Sequence, residues 1–312
     1  MFKTIDKAIP SWVENAYRDG KHTYQFGIPD FDKAFNNNLR GKCIGLIGTG
    51  GAGKSVMGLQ VISSNSVGTD TVGIIMNGEM SEGNLLERFF DYQYGKKITK
   101  GSNPASANIR DKVIGMDDSE SRKAYAKTLM LQSKKYFGEN VLVTDCCDLE
   151  KIDKALDNAI NKEGKNIVGM AVDSAAMVEY SGTSTEAAEY MSKKLKKLAN
   201  IYNIAVFVIV HVPKNVAPDK RDLSEDGMDS VRIFNNFDAM ISFSHCLDKA
   251  GNKIDDLKYL LLFNKRGRED KENGVYKYIH KVCRINKERI ILEETDISPE
   301  SFPEKNEVER RM

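Results

Sequence analysis

The sequence predicts a doubly wound α/β fold with a mostly parallel sheet and an antiparallel extension at its C-terminal end. Three observations carry that prediction. Between Gly41 and Val212, short apolar, β-branched runs alternate with longer helix-like segments. The first run, Cys43-Ile44-Gly45-Leu46-Ile47, leads directly into Gly48-Thr49-Gly50-Gly51-Ala52-Gly53-Lys54-Ser55, which completes the pattern G-x-x-x-x-G-K-[ST] ahead of a helix-like stretch. Beyond Arg232 the helical periodicity stops, and strand-like runs follow one another across short polar turns.

In chain order, the expected parallel strands are Gly41–Gly48, Thr71–Asn77, Asn140–Thr144, Asn166–Asp173 and Ala205–Val212. The helices between them are Lys54–Ser64, Ser81–Tyr94, Ser119–Tyr136, Leu149–Glu163 and Thr185–Tyr202. Ser81 is a natural N-cap, and Leu85, Leu86, Phe89 and Phe90 recur at helical spacing behind it as candidate core residues. The strand that precedes this helix is expected beside the phosphate loop. The C-terminal strands are Asp238–Phe243, Leu257–Asn264, Gly274–Val282 and Arg289–Glu293. Lys96–Asp117 and Val212–Val231 read as long polar loops of the kind that carry function or stay disordered. The chain divides into an arm or linker helix over 1–27, a core over 28–296 and a mobile, charged tail over 297–312.

A chain of 312 residues buries a full core. The net charge of +1 excludes a polybasic coat, so contact with nucleic acid has to rest on particular segments. No apolar run is long enough for a membrane span or a signal peptide, which points to a cytoplasmic protein of a bacterial or phage-infected cell with no membrane partner. Cys43, Cys146, Cys147, Cys246 and Cys283 form no C-x-x-C pair, so they read as reduced, partly buried thiols, not as a zinc site or a disulfide framework.

The chemistry gathers at the strand ends. In the phosphate loop the glycines let backbone N–H groups turn toward a nucleoside triphosphate, Lys54 reaches the β and γ oxygens, and Ser55 offers its hydroxyl to Mg²⁺. Asp173 closes the apolar run Ile167-Val168-Gly169-Met170-Ala171-Val172 and suits a carboxylate holding Mg²⁺ through a water. Glu79, between a strand and the Ser81 helix, is either a group that orients the attacking water or a solvated acid favouring a helix start. His211 ends the run Ala205–Val210, near the same edge as Asp173, as a γ-phosphate ligand or a structural histidine. Lys265-Arg266-Gly267-Arg268 is a solvated turn, or holds the cation that ring ATPases lend to a neighbouring subunit. Lys214, Lys220, Arg221 and Arg232 offer flexible positive charge to a DNA backbone, although five acids are interspersed among them. Lys193, Lys194, Lys196 and Lys197 read as the wet face of an amphipathic helix.

From about Ile28 to Glu294 these segments resemble the ATPase core of the DnaB family of ring-forming replicative helicases, on a RecA-like fold. The resemblance rests on Ile28-Pro29-Asp30-Phe31-Asp32-Lys33-Ala34-Phe35 with Asn38-Leu39-Arg40-Gly41, and on Gly78-Glu79-Met80-Ser81 with Leu86-Glu87-Arg88. It rests further on Asn140-Val141-Leu142-Val143-Thr144-Asp145 and on Val210-His211-Val212-Pro213-Lys214-Asn215. It implies ATP and Mg²⁺ as cofactors, Glu79 as the catalytic glutamate, His211 as a phosphate sensor and Arg266 as the first choice for the trans finger, ahead of Lys265 and Arg268. It also implies a homo-oligomer, a hexamer, moving 5′ to 3′ on single-stranded or forked DNA, with a primase or helicase loader as further partner. Gly227–Arg232 would close the central DNA-binding loop. With only residues 1–27 ahead of the core, the family's helical collar is not expected. Asp173-Ser174-Ala175-Ala176 is closer to RecA-type recombinases, so a filament-forming recombinase is one alternative. A regulatory ATP-binding module without DNA activity is the other.

Overall fold

A computed structural model describes residues 13, 23–66, 70–94, 105–136, 140–212, 220, 235–265, 278–286 and 291–302. Its first half contains α1 (Pro29–Lys33), β1 (Cys43–Gly48), α2 (Lys54–Ser66), β2 (Val72–Asn77), α3 (Glu82–Tyr94), α4 (Ala105–Ile114) and α5 (Ser119–Tyr136). Next come β3 (Val141–Thr144), α6 (Leu149–Asp157), β4 (Ile167–Asp173), α7 (Ser184–Tyr202) and β5 (Ala205–His211). Four strands complete it: β6 (Ala239–Leu247), β7 (Lys253–Asn264), β8 (Tyr278–Asn286) and β9 (Ile291–Glu294).

The strands form one sheet in the order β3-β2-β4-β5-β1-β6-β7-β8-β9. The first six of these are parallel, and β7, β8 and β9 are antiparallel, which is the predicted mixed architecture. Side chains of a strand alternate between faces, so each run splits into two sets. Ile44, Leu46, Phe207 and Ile209 pack on one face against Met57, Val61 and Ile62 of α2. Cys43, Ile47, Val206, Val208 and Val210 pack on the other against Ile152 of α6 and Leu195 and Leu198 of α7. Burial on both faces explains why these strands read as continuous apolar runs.

Local chemistry sets the helix starts. Asp148 caps α6 by accepting from the N–H groups of Glu150 (2.9 Å) and Lys151 (3.2 Å). Thr183 and Glu186 close a reciprocal capping box at the head of α7. Asn203, left-handed at φ 51°, ends that helix and turns the chain into β5.

Several expectations are corrected. β2 does not adjoin β1: β5 and β6 flank β1, and β4 and β5 stand between it and β2. Two interposed strands are the result of the crossovers of a doubly wound sheet, which alternation along the chain does not reveal. Part of the Lys96–Asp117 loop is the helix α4, whose Ile109 packs with Phe90, Tyr125 and Leu129 in a satellite cluster. Leu86 is 44% exposed, while Leu85 and Phe89 are buried. The Leu149–Glu163 helix changes at Asn158 into a π-helical turn. Lys194 and Lys196 are not on a wet face: Lys194 bonds Glu150 and Asp153, and Lys196 reaches the buried Asp238. Ile297 and Phe302, assigned to a mobile tail, pack against Leu257, Tyr259 and Val282. All five cysteines are free, and all but Cys146 are buried.

Candidate active site

The sheet register brings the functional side chains to one edge. Gly48 pairs with His211, and Asn77 pairs with Asp173, so the carboxyl ends of β1, β5, β2 and β4 lie level. Glu79 stands two residues past Asn77, whose side chain braces the turn by bonding the Met80 carbonyl (2.7 Å) and N–H (3.2 Å). Two strands therefore separate β2 from β1, yet the turn beyond β2 carries Glu79 back over the edge.

Glu79, Asp173 and His211 each offer a ligand atom within 4.8 Å of the others. His211 Nε2 lies 3.0 Å from Glu79 Oε2. Partial burial pushes the Glu79 carboxyl up, but hydrogen bonding to and the charge of His211, with help from Ser174 and Asp173, bring it below its ordinary value. Burial raises Asp173, against the opposing hydrogen bond from Ser55.

The phosphate loop supplies the opposite charge. Gly51 and Gly53 take φ of +74° and +103°, a region side-chain-bearing residues rarely adopt, and this turns the loop around the head of α2. Lys54 is 4% exposed and donates to the carbonyls of Gly48 and Thr49, both at 2.8 Å. Burial lowers its pKa to about 8, against the pull of Asp173 and Glu79. Lys54, Ser55, Glu79 and His211 line a cleft of about 370 Å³ together with Arg88 and Ile285. A larger, open depression beside Glu150 and Tyr180 has no phosphate-binding element, so the cleft is the candidate site.

Neither Arg88 nor Ile285 stood out in the sequence as a site residue. Arg88 reaches the cleft from α3, where its charge favours the Asp173 carboxylate, and Ile285 comes from β8 across the sheet. Helical spacing from Glu79 was the available signal for Arg88; nothing local signalled Ile285. Of the other predicted residues, Lys265 lies at the far end of β7, and the backbone carbonyl of Lys220 accepts from Ser244. Lys214, Arg221, Arg232, Arg266 and Arg268 lie outside the described residues.

The residues present fit a divalent cation. Asp173 is 5% exposed and its Oδ1 is buried with no hydrogen-bond partner, while Ser55 bonds the same carboxylate. An oxygen pair of this kind suits Mg²⁺.

No protein-family model matches the chain, and no curated protein matches it in sequence. Solved structures do match. A DnaB-like replicative helicase, described with its interactions with primase, aligns over 95% of this chain and 68% of its own, at a TM-score of 0.65 and 15% identity. The chain has the fold of a replicative-helicase ATPase core. A second match, an ATPase domain solved by itself, aligns over 95% of this chain and 100% of its own with a TM-score of 0.67 and 13% identity. The DnaB-type RecA-like core thus accounts for the mixed sheet and for the position of the phosphate loop at its centre. Among the described residues no helix is long and apolar enough to cross a membrane.

Proposed function

We propose that the chain is a Mg²⁺-dependent ATP hydrolase of the DnaB-like replicative helicase type, acting as a homohexameric ring on single-stranded DNA. The convergence of Lys54, Ser55, Glu79, Asp173 and His211 at one edge of a helicase-type sheet carries this reading. Lys54 and Arg88 neutralise phosphate charge. Glu79, held anionic by its surroundings, accepts a hydrogen bond from the attacking water and aligns it with the γ-phosphorus. His211 bonds both Glu79 and the departing γ-phosphate, so loss of that phosphate frees it to move the segment that follows β5. Ser55 and Asp173 would hold Mg²⁺, which neutralises the β and γ oxygens when bound.

The basic cluster after β7 supports action between subunits. Asn264 pairs with Ala239, and Ala239 with Ile44, so Lys265 leaves the sheet at the edge opposite the phosphate loop. Four residues of strand separate Ile44 from Gly48, about 13 Å at ordinary strand rise. A cation there is poorly placed for its own triphosphate and well placed for a neighbour's in a head-to-tail ring. Arg266, Lys265 or Arg268 would be that cation, and Lys214, Lys220, Arg221 and Arg232 would track DNA in the central channel. A primase or a helicase loader, in the cytoplasm of a bacterial or phage-infected cell, completes the proposed setting.

The test is ATP turnover with and without single-stranded DNA, beside electron microscopy of the assembly. Stimulation by DNA together with closed rings is expected. Turnover indifferent to DNA would replace this reading with a regulatory nucleotide-binding module. Open filaments on DNA would favour a recombinase, the reading that Asp173-Ser174-Ala175-Ala176 independently supports.

A further inference from the structure

His245 and Lys258 form a buried pair that the proposed chemistry leaves unused. β6 flanks β1 on the side away from His211, with Phe243 beside Gly48, so His245 stands two residues further along, next to the phosphate loop. His245 is 7% exposed, and Lys258, opposite it on β7, is 2% exposed. Lys258 Nζ lies 3.1 Å from His245 Nδ1. An ammonium donates and cannot accept, so Nδ1 is the acceptor and the imidazole proton sits on Nε2. That nitrogen is buried and makes no completed hydrogen bond, while the backbone of Gly50 lies against the ring.

The Gly50 carbonyl is the backbone group that an Nε2–H can engage there. In a trans peptide the C=O and the following N–H point in opposite directions, so drawing the Gly50 carbonyl toward β6 turns the Gly51 N–H the other way, into the cleft. We propose that His245 is a positioning residue of the phosphate loop: aimed by Lys258, its Nε2–H clamps the Gly50 carbonyl when nucleotide binds and thereby presents the Gly51 N–H to phosphate. This rests on the reading of the loop as a nucleotide site. His245 itself touches neither phosphate nor water.

The test is equilibrium binding of a fluorescent ATP analogue with Mg²⁺ to the full chain, with KM and kcat measured for ATP. His245→Leu should weaken binding about tenfold, the factor that one hydrogen bond of ordinary strength carries, and raise KM while kcat stays within about twofold. His245→Gln, whose amide N–H reaches the place of Nε2, should restore binding. Lys258→Met should weaken binding when His245 is present and have no effect in the His245→Gln protein, because an amide donor needs no partner to fix a tautomer. Thermal unfolding checks that each variant is folded. A folded His245→Leu protein that binds like wild type overturns the proposal. So does a Lys258→Met effect equally large in both backgrounds, and that arm decides the matter even where His245→Leu fails to fold. Absence of analogue binding by the wild type would instead overturn the nucleotide reading.

Discussion

Glu79 and Asp173 are carboxylates with ligand atoms no more than 4.8 Å apart, held in unlike surroundings. One is 45% exposed at its side chain and bonded to His211; the other is buried beside Ser55. The difference separates a water-orienting role from a metal-holding one. Replacing Glu79 by Gln keeps the shape and removes the charge, so ATP binding should persist while turnover falls about 10²- to 10⁴-fold, measured in a steady-state assay. Near-normal turnover in that variant would remove Glu79 from the chemistry. Lys54 gives a second test. Its pKa of about 8 lies below that of a free lysine, so part of the population is neutral above pH 8. A triphosphate favours the charged form, so binding at pH 8.5 should take up a proton, and binding at pH 6.5 should take up almost none at this residue. Calorimetry in two buffers of different ionisation heat reads this directly, and a buffer-independent enthalpy at pH 8.5 would contradict it.

At the scale of elements, α7 and β6 are joined by Lys196, which reaches Asp238 and the Gly41 carbonyl from a largely buried position. Removing one partner of a buried pair strands the other, so Lys196→Met should cost about 3 kcal/mol or more in urea unfolding. Lys193 on the same helix pairs with Glu189 in the open, and Lys193→Met should cost under about 0.5 kcal/mol. Equal costs would deny the structural role of Lys196. The sequence did not distinguish these lysines, because a helical wheel records spacing and not which neighbours await each face. Strands and helices were otherwise legible to within a few residues wherever burial on both faces left continuous apolar runs. α4 was not, since it buries Ile109 in a small satellite cluster and shows little periodicity. Of the site, the strand-end residues Asp173 and His211 and the turn residue Glu79 were legible, because each follows an apolar run that announces where the chain leaves the sheet. Arg88 and Ile285 were not, because they reach the cleft through tertiary packing.

Across the whole molecule, the sheet order places β1 between β5 and β6, with the nucleotide cleft at one edge and the start of the basic cluster at the other. The antiparallel strands are also tied to the helix that carries Lys54. Gln60 of α2 bonds both the N–H (2.7 Å) and the carbonyl (3.0 Å) of Leu292 on β9. Ile285 and Leu292 lie 3.5 and 3.9 Å from where a side chain on Gly53 would begin. If hydrolysis needs a neighbour's cation, an Arg266→Ala protein mixed with a Lys54→Ala protein should recover part of the ATPase activity that each lacks alone, because some interfaces then hold one intact half from each. No recovery at any mixing ratio would place the cation elsewhere. The most direct test of the account is Mg²⁺-ATP-dependent unwinding of a forked DNA with a 5′ single-stranded tail, run beside Glu79→Gln. Strand separation by the wild type and none by the variant is the predicted result; no separation by an assembled, ATP-binding wild type, or equal separation by both, would contradict it.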